Sequence, residues 1–155
     1  MDLNAIIENF KDAVANHYFD MKGRIGRERF WYFVLAVVVV QIAGAIVQSV
    51  VWLLPVSALV SLALLLPMAG MGARRLQDTG RDGNLVWLGV IPAALSALFR
   101  LFIFGPFGLF GALAYAFTIG PILGMASLIA AIVLIYFWCQ PGDAGANAYG
   151  EPQGR

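Results

Sequence analysis

Charged side chains are scarce in this 155-residue chain. Asp, Glu, Lys and Arg make up 12% of the sequence, whereas hydrophobic residues make up 61%. An ordinary soluble domain is about one quarter charged, and a chain with half that share cannot cover a globular surface with polar groups. Lipid must therefore be part of its solvent. A basic face on a soluble fold, which nucleic-acid binding requires, is also missing, so no nucleic-acid partner is expected.

Cysteine and histidine occur once each, as Cys139 and His17. A single cysteine excludes an internal disulfide. One Cys and one His cannot by themselves complete a transition-metal site, and His17 has no recognisable nucleophile motif beside it. The sequence therefore predicts a protein without a metal or cofactor, and a non-enzymatic role. A lipid-modifying enzyme is the alternative, and it requires Asp78 or Asp82 to be free of arginine and to face a pocket.

Charge is also missing from the long apolar runs, inside which Arg100 is the single charged residue. Ion-coupled transporters usually need intramembrane carboxylates or broken polar helices, so transport is disfavoured. Arg100 lies about one turn from the end of its predicted helix, and its long side chain is expected to reach the headgroups. A small transporter or channel component stays an alternative, with a polar cavity lined by Gln41, Gln48, Ser57, Ser61, Ser96 and Thr118.

Four apolar runs are long enough to cross a bilayer, whose hydrocarbon core takes about 20 helical residues. We predict transmembrane helices over residues 30–54, 55–73, 85–104 and 121–139. Residues 3–19 precede them, and their apolar side chains recur at spacings of three and four, which is typical of an amphipathic helix. The predicted fold class is all-α: a polytopic membrane helical bundle with an N-terminal amphipathic surface helix.

The apolar segment over residues 105–120 is punctuated by glycine and has two interpretations. It is either a connector that dips into the bilayer or the extension of a longer, tilted or kinked helix. We expect the chain to break at Gly120–Pro121. Four spans are favoured over five, and the whole chain, residues 1–155, is treated as one membrane domain.

Most of the positive charge lies in two short segments, residues 22–31 and 74–83. They hold seven of the ten Lys and Arg residues, and four spans place both segments on the same side of the membrane. The positive-inside rule assigns that side to the cytoplasm. Both termini, including a Gly- and Pro-rich tail over residues 141–155, are therefore predicted to be cytoplasmic.

These segments and the tail contain the groups best suited to bind a charged ligand. Arginine forms bidentate hydrogen bonds with phosphate, and an anionic phospholipid headgroup lies at the right depth. The alternative is that the arginines only set the topology and pair with Asp78, Glu28 and backbone carbonyls. The predicted ligand-binding residues are Arg24, Arg27, Arg29, Arg74, Arg75, Asp78, Arg81, Asn147 and Tyr149.

Three blocks of the chain carry a family resemblance: residues 19–31, 74–81 and 145–152, which contain the motifs Gly-Arg-Ile-Gly-Arg-Glu-Arg-Phe-Trp, Arg-Arg-Leu-Gln-Asp-Thr-Gly-Arg and Asn-Ala-Tyr-Gly-Glu-Pro. In these blocks the chain resembles the DUF805 family of small bacterial inner-membrane proteins. The resemblance implies a helical bundle in the inner membrane, and it implies no activity. The expected partners are membrane lipids, with a homo-oligomer or a membrane-protein partner left open.

Overall fold

The computed structural model describes residues 3–51, 54–103 and 108–152, and these ranges contain six α-helices. A short 3-10 turn, Gly83–Val86, precedes the fourth helix. The predicted all-α class is confirmed, because the described residues form no β-strand. The helices are α1 Leu3–Ala15, α2 Arg27–Val50, α3 Val56–Asp78, α4 Trp87–Ile103, α5 Gly108–Phe117 and α6 Ile119–Cys139.

Four of these helices have the length and apolar character of membrane spans: α2, α3, α4 with its preceding turn, and α6. Large apolar side chains cover their outer surfaces. Val39 and Ile46 on α2, and Ile122 and Ile132 on α6, are each more than half exposed. A water-soluble fold rarely exposes so many large apolar side chains together. These surfaces are therefore suited to contact with lipid.

Helix α3 occupies the centre of the bundle and contacts α1, α2, α4 and α6. Small residues make this close packing possible, as is usual between helices in lipid. A Cβ atom at Gly70 would lie 2.9 Å from the carbonyl oxygen of Asp20, and one at Gly72 would lie 2.9 Å from the Trp138 ring. The indole Nε1 of Trp138 donates to the Gly72 carbonyl at 3.1 Å. Helix α6 is thereby joined to the carboxyl half of α3.

Helix α1 packs against α2 and α3, with Ile6, Asn9 and Ala13 buried. Two polar residues hold it in place. The Asn9 side chain donates to the Arg29 carbonyl at 2.8 Å, and the Arg29 Nε donates to Asn9 Oδ1 at 2.9 Å. The helix ends at Ala15 rather than at the predicted residue 19, because the chain then turns and the Tyr18 hydroxyl donates to a carbonyl of α3.

Helix α3 continues five residues beyond the predicted span of 55–73 and ends at Asp78. Arg74 and Arg75, which the sequence had indicated as the start of a loop, lie in its last turns. Gly80 stops the helix with φ at +71°. The Gly80 amide donates to the Gln77 carbonyl and the next amide donates to that of Leu76. This is the Schellman arrangement, in which glycine accepts the left-handed conformation without steric cost.

Most of the segment predicted as a connector is helical. Helix α5 packs against α4 and α6, and the chain breaks at Thr118, two residues before the predicted Gly120–Pro121 break. Pro121 lies in the first turn of α6, where the missing N–H would have no helical acceptor in any case. A side chain at Gly120 would collide with the carbonyl of Tyr115, so glycine permits the tight turn.

Parts of four predicted segments lie outside the described residues. They are residues 52–53 of the first span, residue 104 of the third, residues 105–107 of the connector and residues 153–155 of the tail.

Candidate functional site

The surface formed by residues 22–32, 74–83 and 140–152 is called the arginine face below. At its centre Arg24 is 1% exposed and uses all five guanidinium donors. Its Nε donates to Asp78 Oδ1 at 3.0 Å. Its two amino groups donate to the carbonyls of Gly145, Gly150 and Asp143 at 2.7, 3.0 and 2.6 Å, and to the Asp78 carbonyl at 3.5 Å. No donor of Arg24 remains for an external ligand.

Asp78 connects the two arginine segments. One of its oxygens accepts from Arg24 and the other accepts from Arg75, and the carboxylate is almost fully buried. Arg75 is fully buried, and it also donates to the carbonyls of Trp138, at 3.0 Å, and Gln140. Buried charges are tolerated when they are paired and hydrogen-bonded. These three side chains therefore form one internal network that joins the ends of α3 and α6.

Arg81 extends this network to the end of α6. One of its amino groups donates to Gln140 Oε1 at 2.8 Å, and its guanidinium lies 4.4 Å from the centre of the Phe137 ring. A guanidinium over an aromatic face at this distance is stabilised by the ring quadrupole. Arg81 thus holds the last turn of α6, where a cation also interacts favourably with the helix dipole.

Asn147 holds the tail against the end of α3. Its side-chain amide donates to the Gln77 carbonyl and to Asp143 Oδ2, each at 2.9 Å, and its own carbonyl oxygen accepts from the Tyr149 amide at 2.9 Å. An isolated bridge between Asn147 and Gly150 closes the turn. The tail is therefore an ordered loop within the described residues, and Tyr149 takes part through its backbone amide.

Arg29 and Arg74 lie on the side of the arginine face nearest α1. Besides Asn9, Arg29 contacts Asp12 Oδ2 at 2.8 Å. Arg74 is 8% exposed; its side-chain contact is Met71 Sδ at 3.0 Å, and its buried Nε has no hydrogen-bond partner. Arg74 forms no ion pair with any residue that the structure describes. Its backbone carbonyl accepts from the Ile25 amide at 3.3 Å.

The Asp12 carboxyl has a pKa below its ordinary value of 3.8. The largest cause is the hydrogen bond from the Asn16 side chain, at 3.0 Å, which stabilises the ionised form. Partial burial acts in the opposite direction, while His17 and Arg29 lower the pKa further. An ionised Asp12 therefore adds an ion pair to the Asn9 contacts that attach α1 to Arg29.

A cleft of ≈ 560 Å³ lies between the first turns of α2 and the tail. Arg27 is exposed at its edge and forms no hydrogen bond or ion pair with the described residues. The other five arginines of the predicted site all donate to neighbouring protein atoms. Side chains lining the cleft include Arg27, Arg29, Tyr32, Arg75, Asp78 and Asp143.

The nine predicted site residues thus separate into groups. Five belong to one internal network, Arg29 and Arg74 lie beside α1, Arg27 faces the cleft, and Tyr149 lies in the tail. One alternative from the sequence paired the arginines with Asp78 and backbone carbonyls, and Arg24 has these kinds of acceptor. The sequence could not indicate which carbonyls they are, because every residue carries one. The structure also explains Gly142, since a side chain there would collide with the Asp78 carboxylate. The five residues of the network are Arg24, Arg75, Asp78, Arg81 and Asn147. A ligand-binding role for the nine residues stays a prediction.

Several residues named for the alternatives contact their own neighbours. The Ser61 hydroxyl donates to Gln41 at 3.3 Å, and the Ser57 amide donates to Gln48 at 3.2 Å, so these pairs join α2 to α3. The enzyme alternative requires a carboxylate that is free of arginine. Asp78 does not meet this condition, because it is paired with Arg24 and Arg75. Asp82 caps the 3-10 turn by accepting from the Asn84 amide. It forms no ion pair with the described residues and lines a groove, so it meets the condition that the enzyme alternative sets. In the described ranges no three His, Cys, Asp or Glu side chains are grouped as a metal site requires.

Comparison with known proteins identifies the chain at the level of its family. It is 29% identical over 141 residues to "Inner membrane protein YhaI" of Escherichia coli strain K12 and to the protein of the same name in strain O157:H7, covering 90% of each chain. No solved structure matches it. The family model described as "Protein of unknown function (DUF805)" matches residues 18–151. The chain is a membrane protein that belongs to the DUF805 family, as the three sequence blocks had indicated.

Proposed function

We propose that this protein binds a phosphate-bearing anionic lipid headgroup in the cleft at the amino end of α2. The protein would be an integral inner-membrane protein with both termini and the arginine face in the cytoplasm. Its similarity to an inner-membrane protein of E. coli supports the location. The concentration of arginine on one face supports the orientation, because cytoplasmic segments carry an excess of Lys and Arg.

The observation that carries the proposal is the state of Arg27. Its guanidinium is exposed at the cleft and has no acceptor among the described residues. The planar fork of donors on arginine matches two oxygens of a phosphate. Of the six arginines in the predicted site, Arg27 is thus the one whose donors are all available to a ligand.

The start of α2 adds backbone donors to this side chain. Gly26 is the N-cap and provides no side chain to accept from the first amides of the helix, while the Phe30 amide already donates to the Gly26 carbonyl. The free amides and the positive end of the helix dipole favour an anion there. Arg27 and the free amides of the first turn point to the same kind of ligand.

The carboxylates at the cleft are already engaged by the protein. Asp78 is paired with Arg24 and Arg75, Glu28 accepts from the Tyr32 hydroxyl at 2.6 Å, and Asp143 accepts from the tail. Pairing with two arginines compensates the charge of Asp78, so this carboxylate repels an anion less than an unpaired one would. The partners of Glu28 and Asp143 are neutral groups. In this proposal the internal network of the arginine face has a structural role, because Arg75 and Asp78 form part of the wall of the cleft.

Depth in the membrane favours a lipid headgroup as the source of the phosphate. Phe30, Trp31 and Tyr32 follow the cleft at the start of α2, and aromatic residues are enriched at the membrane–water interface. In this proposal α1, which packs against the start of α2, lies along the membrane surface at the same level. Arg27 is then placed where the phosphates of the cytoplasmic leaflet are found.

Native mass spectrometry of the protein with added phosphatidylglycerol tests the proposal. We expect Arg27→Gln to reduce the retained phosphatidylglycerol about fivefold, since exposed ionic contacts contribute up to about 1 kcal/mol. Lys22→Gln is the matched control, because it removes one exposed positive charge of the same face outside the cleft. Equal retention by the wild type and both variants would contradict the proposal.

A second measurement distinguishes a headgroup from free phosphate. Inorganic phosphate is added to the lipid-free protein in detergent, and thermal unfolding is followed. A phosphate-dependent rise in Tm that Arg27→Gln abolishes would identify a soluble phosphate compound as the ligand and reject the lipid headgroup. No such rise, together with Arg27-dependent retention of phosphatidylglycerol, is the result expected here.

A further inference from the structure

A second groove lies between α4 and α6, on a different part of the molecule from the arginine-face cleft. Its volume is ≈ 560 Å³, and its wall is mostly apolar. It begins at the 3-10 turn that precedes α4 and follows the two helices into the span. Its lining includes Asp82, Asn84, Leu88, Pro92, Leu95 and Ala126.

The polar end of this groove carries an uncompensated negative charge. Asp82 is exposed, and its Oδ1 accepts from the Asn84 amide at 2.9 Å, while its Oδ2 lies a long 3.5 Å from the Asn84 side chain. Asp82 forms no ion pair with the residues that the structure describes. The adjacent Arg81 does not neutralise it, because that guanidinium is held by Gln140 and Phe137. The carboxylate therefore retains acceptor capacity for a cation.

The length of the groove corresponds to one leaflet of a bilayer. From Trp87 to Leu95 the helix rises eight residues, or about 12 Å at about 1.5 Å per residue. Half of a hydrocarbon core of about 30 Å is about 15 Å. Trp87 lies at the polar end, with an indole ring that favours the headgroup level. The dimensions therefore suit a single acyl chain that enters from the side of the arginine face.

We propose that this groove binds one acyl chain of a phospholipid with a primary ammonium headgroup, and that Asp82 accepts hydrogen bonds from the ammonium. Two features of the site carry the assignment. The apolar wall fits the chain, and the carboxylate selects an N–H donor and repels an anionic headgroup. The site would thus take a different lipid class from the arginine-face cleft, and neither proposal depends on the other.

Competition between two lipids with identical acyl chains tests the headgroup assignment. Phosphatidylethanolamine has ammonium N–H donors, whereas phosphatidylcholine has the same net charge and none. Protein in micelles with an equimolar mixture is measured by native mass spectrometry. We expect the wild type to retain phosphatidylethanolamine over phosphatidylcholine by about fivefold, as an exposed ionic contact allows. Asp82→Asn should bring the ratio close to one, and it preserves the cap because asparagine is an equally good capping residue.

A second pair of variants tests the groove itself. Ala126→Phe fills it, and we expect the bound phospholipid of both kinds to fall at least fivefold. Gly124→Phe is the matched control. It lies two residues away on α6, about 200° around the helix, and its Cβ would have no neighbour within 4 Å. Glu151→Gln controls for the loss of an exposed acidic charge elsewhere on the same face.

Several results would overturn the proposal. They are equal retention of the two lipids by the wild type, an unchanged ratio in Asp82→Asn, and unchanged lipid retention in Ala126→Phe. A dimer in the wild type that Ala126→Phe alone dissociates, with lipid binding intact, would assign the groove to a second copy of the chain instead. Unfolding of Ala126→Phe is recognised by its thermal melting curve, and the Asp82→Asn ratio then decides the outcome.

Discussion

Replacing Arg24 by alanine should release the tail from the end of α3 while the bundle stays folded. Arg24 is 1% exposed, and three of its five hydrogen bonds end on carbonyls of the tail, at Gly145, Gly150 and Asp143. A fourth contact and an ion pair end on Asp78, which keeps its other partner, Arg75. The substitution therefore removes the donor that joins the tail to the body of the protein.

The magnitude follows from the burial of this arginine. Removing one partner of a buried ion pair costs about 3–5 kcal/mol. The substitution of Arg24 also leaves three tail carbonyls without their protein donor. A loss of about 3 kcal/mol raises the equilibrium constant for opening of the tail more than a hundredfold. We expect the amides of Asp143 and Tyr149, which donate to Asp78 and Asn147, to exchange with solvent at least a hundredfold faster. Arg24→Lys should recover only part of this loss, because an ammonium has three donors and lacks the planar fork.

Hydrogen exchange in detergent micelles measures this effect, with Arg27→Ala as the matched control. Arg27 lies three residues away in the same segment, but it is exposed and has no protein acceptor. Its substitution should leave the exchange of the tail unchanged. Amides of α4 and α6 should be equally protected in both variants, which shows that the bundle is folded. Normal protection of the tail in a folded Arg24→Ala protein would refute the network described here.

Two further predictions concern the contacts on either side of this network. Gly142→Ala should destabilise the docked tail by about 1–3 kcal/mol, because the added Cβ collides with the Asp78 carboxylate and an overpacked site must shift. Hydrogen exchange of the tail amides equal to that of the wild type would contradict this. The pKa of Asp12 is below its ordinary 3.8 in the folded protein, so its contribution to holding α1 is present above that pH and is lost as the pH falls through the folded-state pKa. Exchange at the α1 amides, corrected for intrinsic rate, should therefore increase as the pH falls from about 5 to about 2. Asp12→Asn should remove this pH dependence. A wild-type profile that is flat in this range would show that the Asp12 contact does not hold α1.

Helix boundaries were predictable where they depend on nearby residues. The apolar run that forms α2 was evident because a bilayer sets the length of a spanning helix. A local signal also misled at the end of the second predicted span. Arg74 and Arg75 mark the end of an apolar run, but arginine is a good helix former, and α3 continues to Asp78, where the chain then turns at Gly80.

The sequence by itself determined that the chain lies in a membrane and that its fold is all-α. The reason is that the length and hydrophobicity of one segment suffice to decide whether it can span a bilayer. The sequence also brought the two arginine segments and the tail together, through topology and family resemblance. Only the tertiary structure decided which arginines are already engaged. Arg24 and Arg27 are similar in sequence, but the helix begins between them at the Gly26 cap. Arg24 turns inward to carbonyls as many as 126 residues away, whereas Arg27 is exposed. Since every residue carries a carbonyl, only folding selects the few that meet a buried guanidinium.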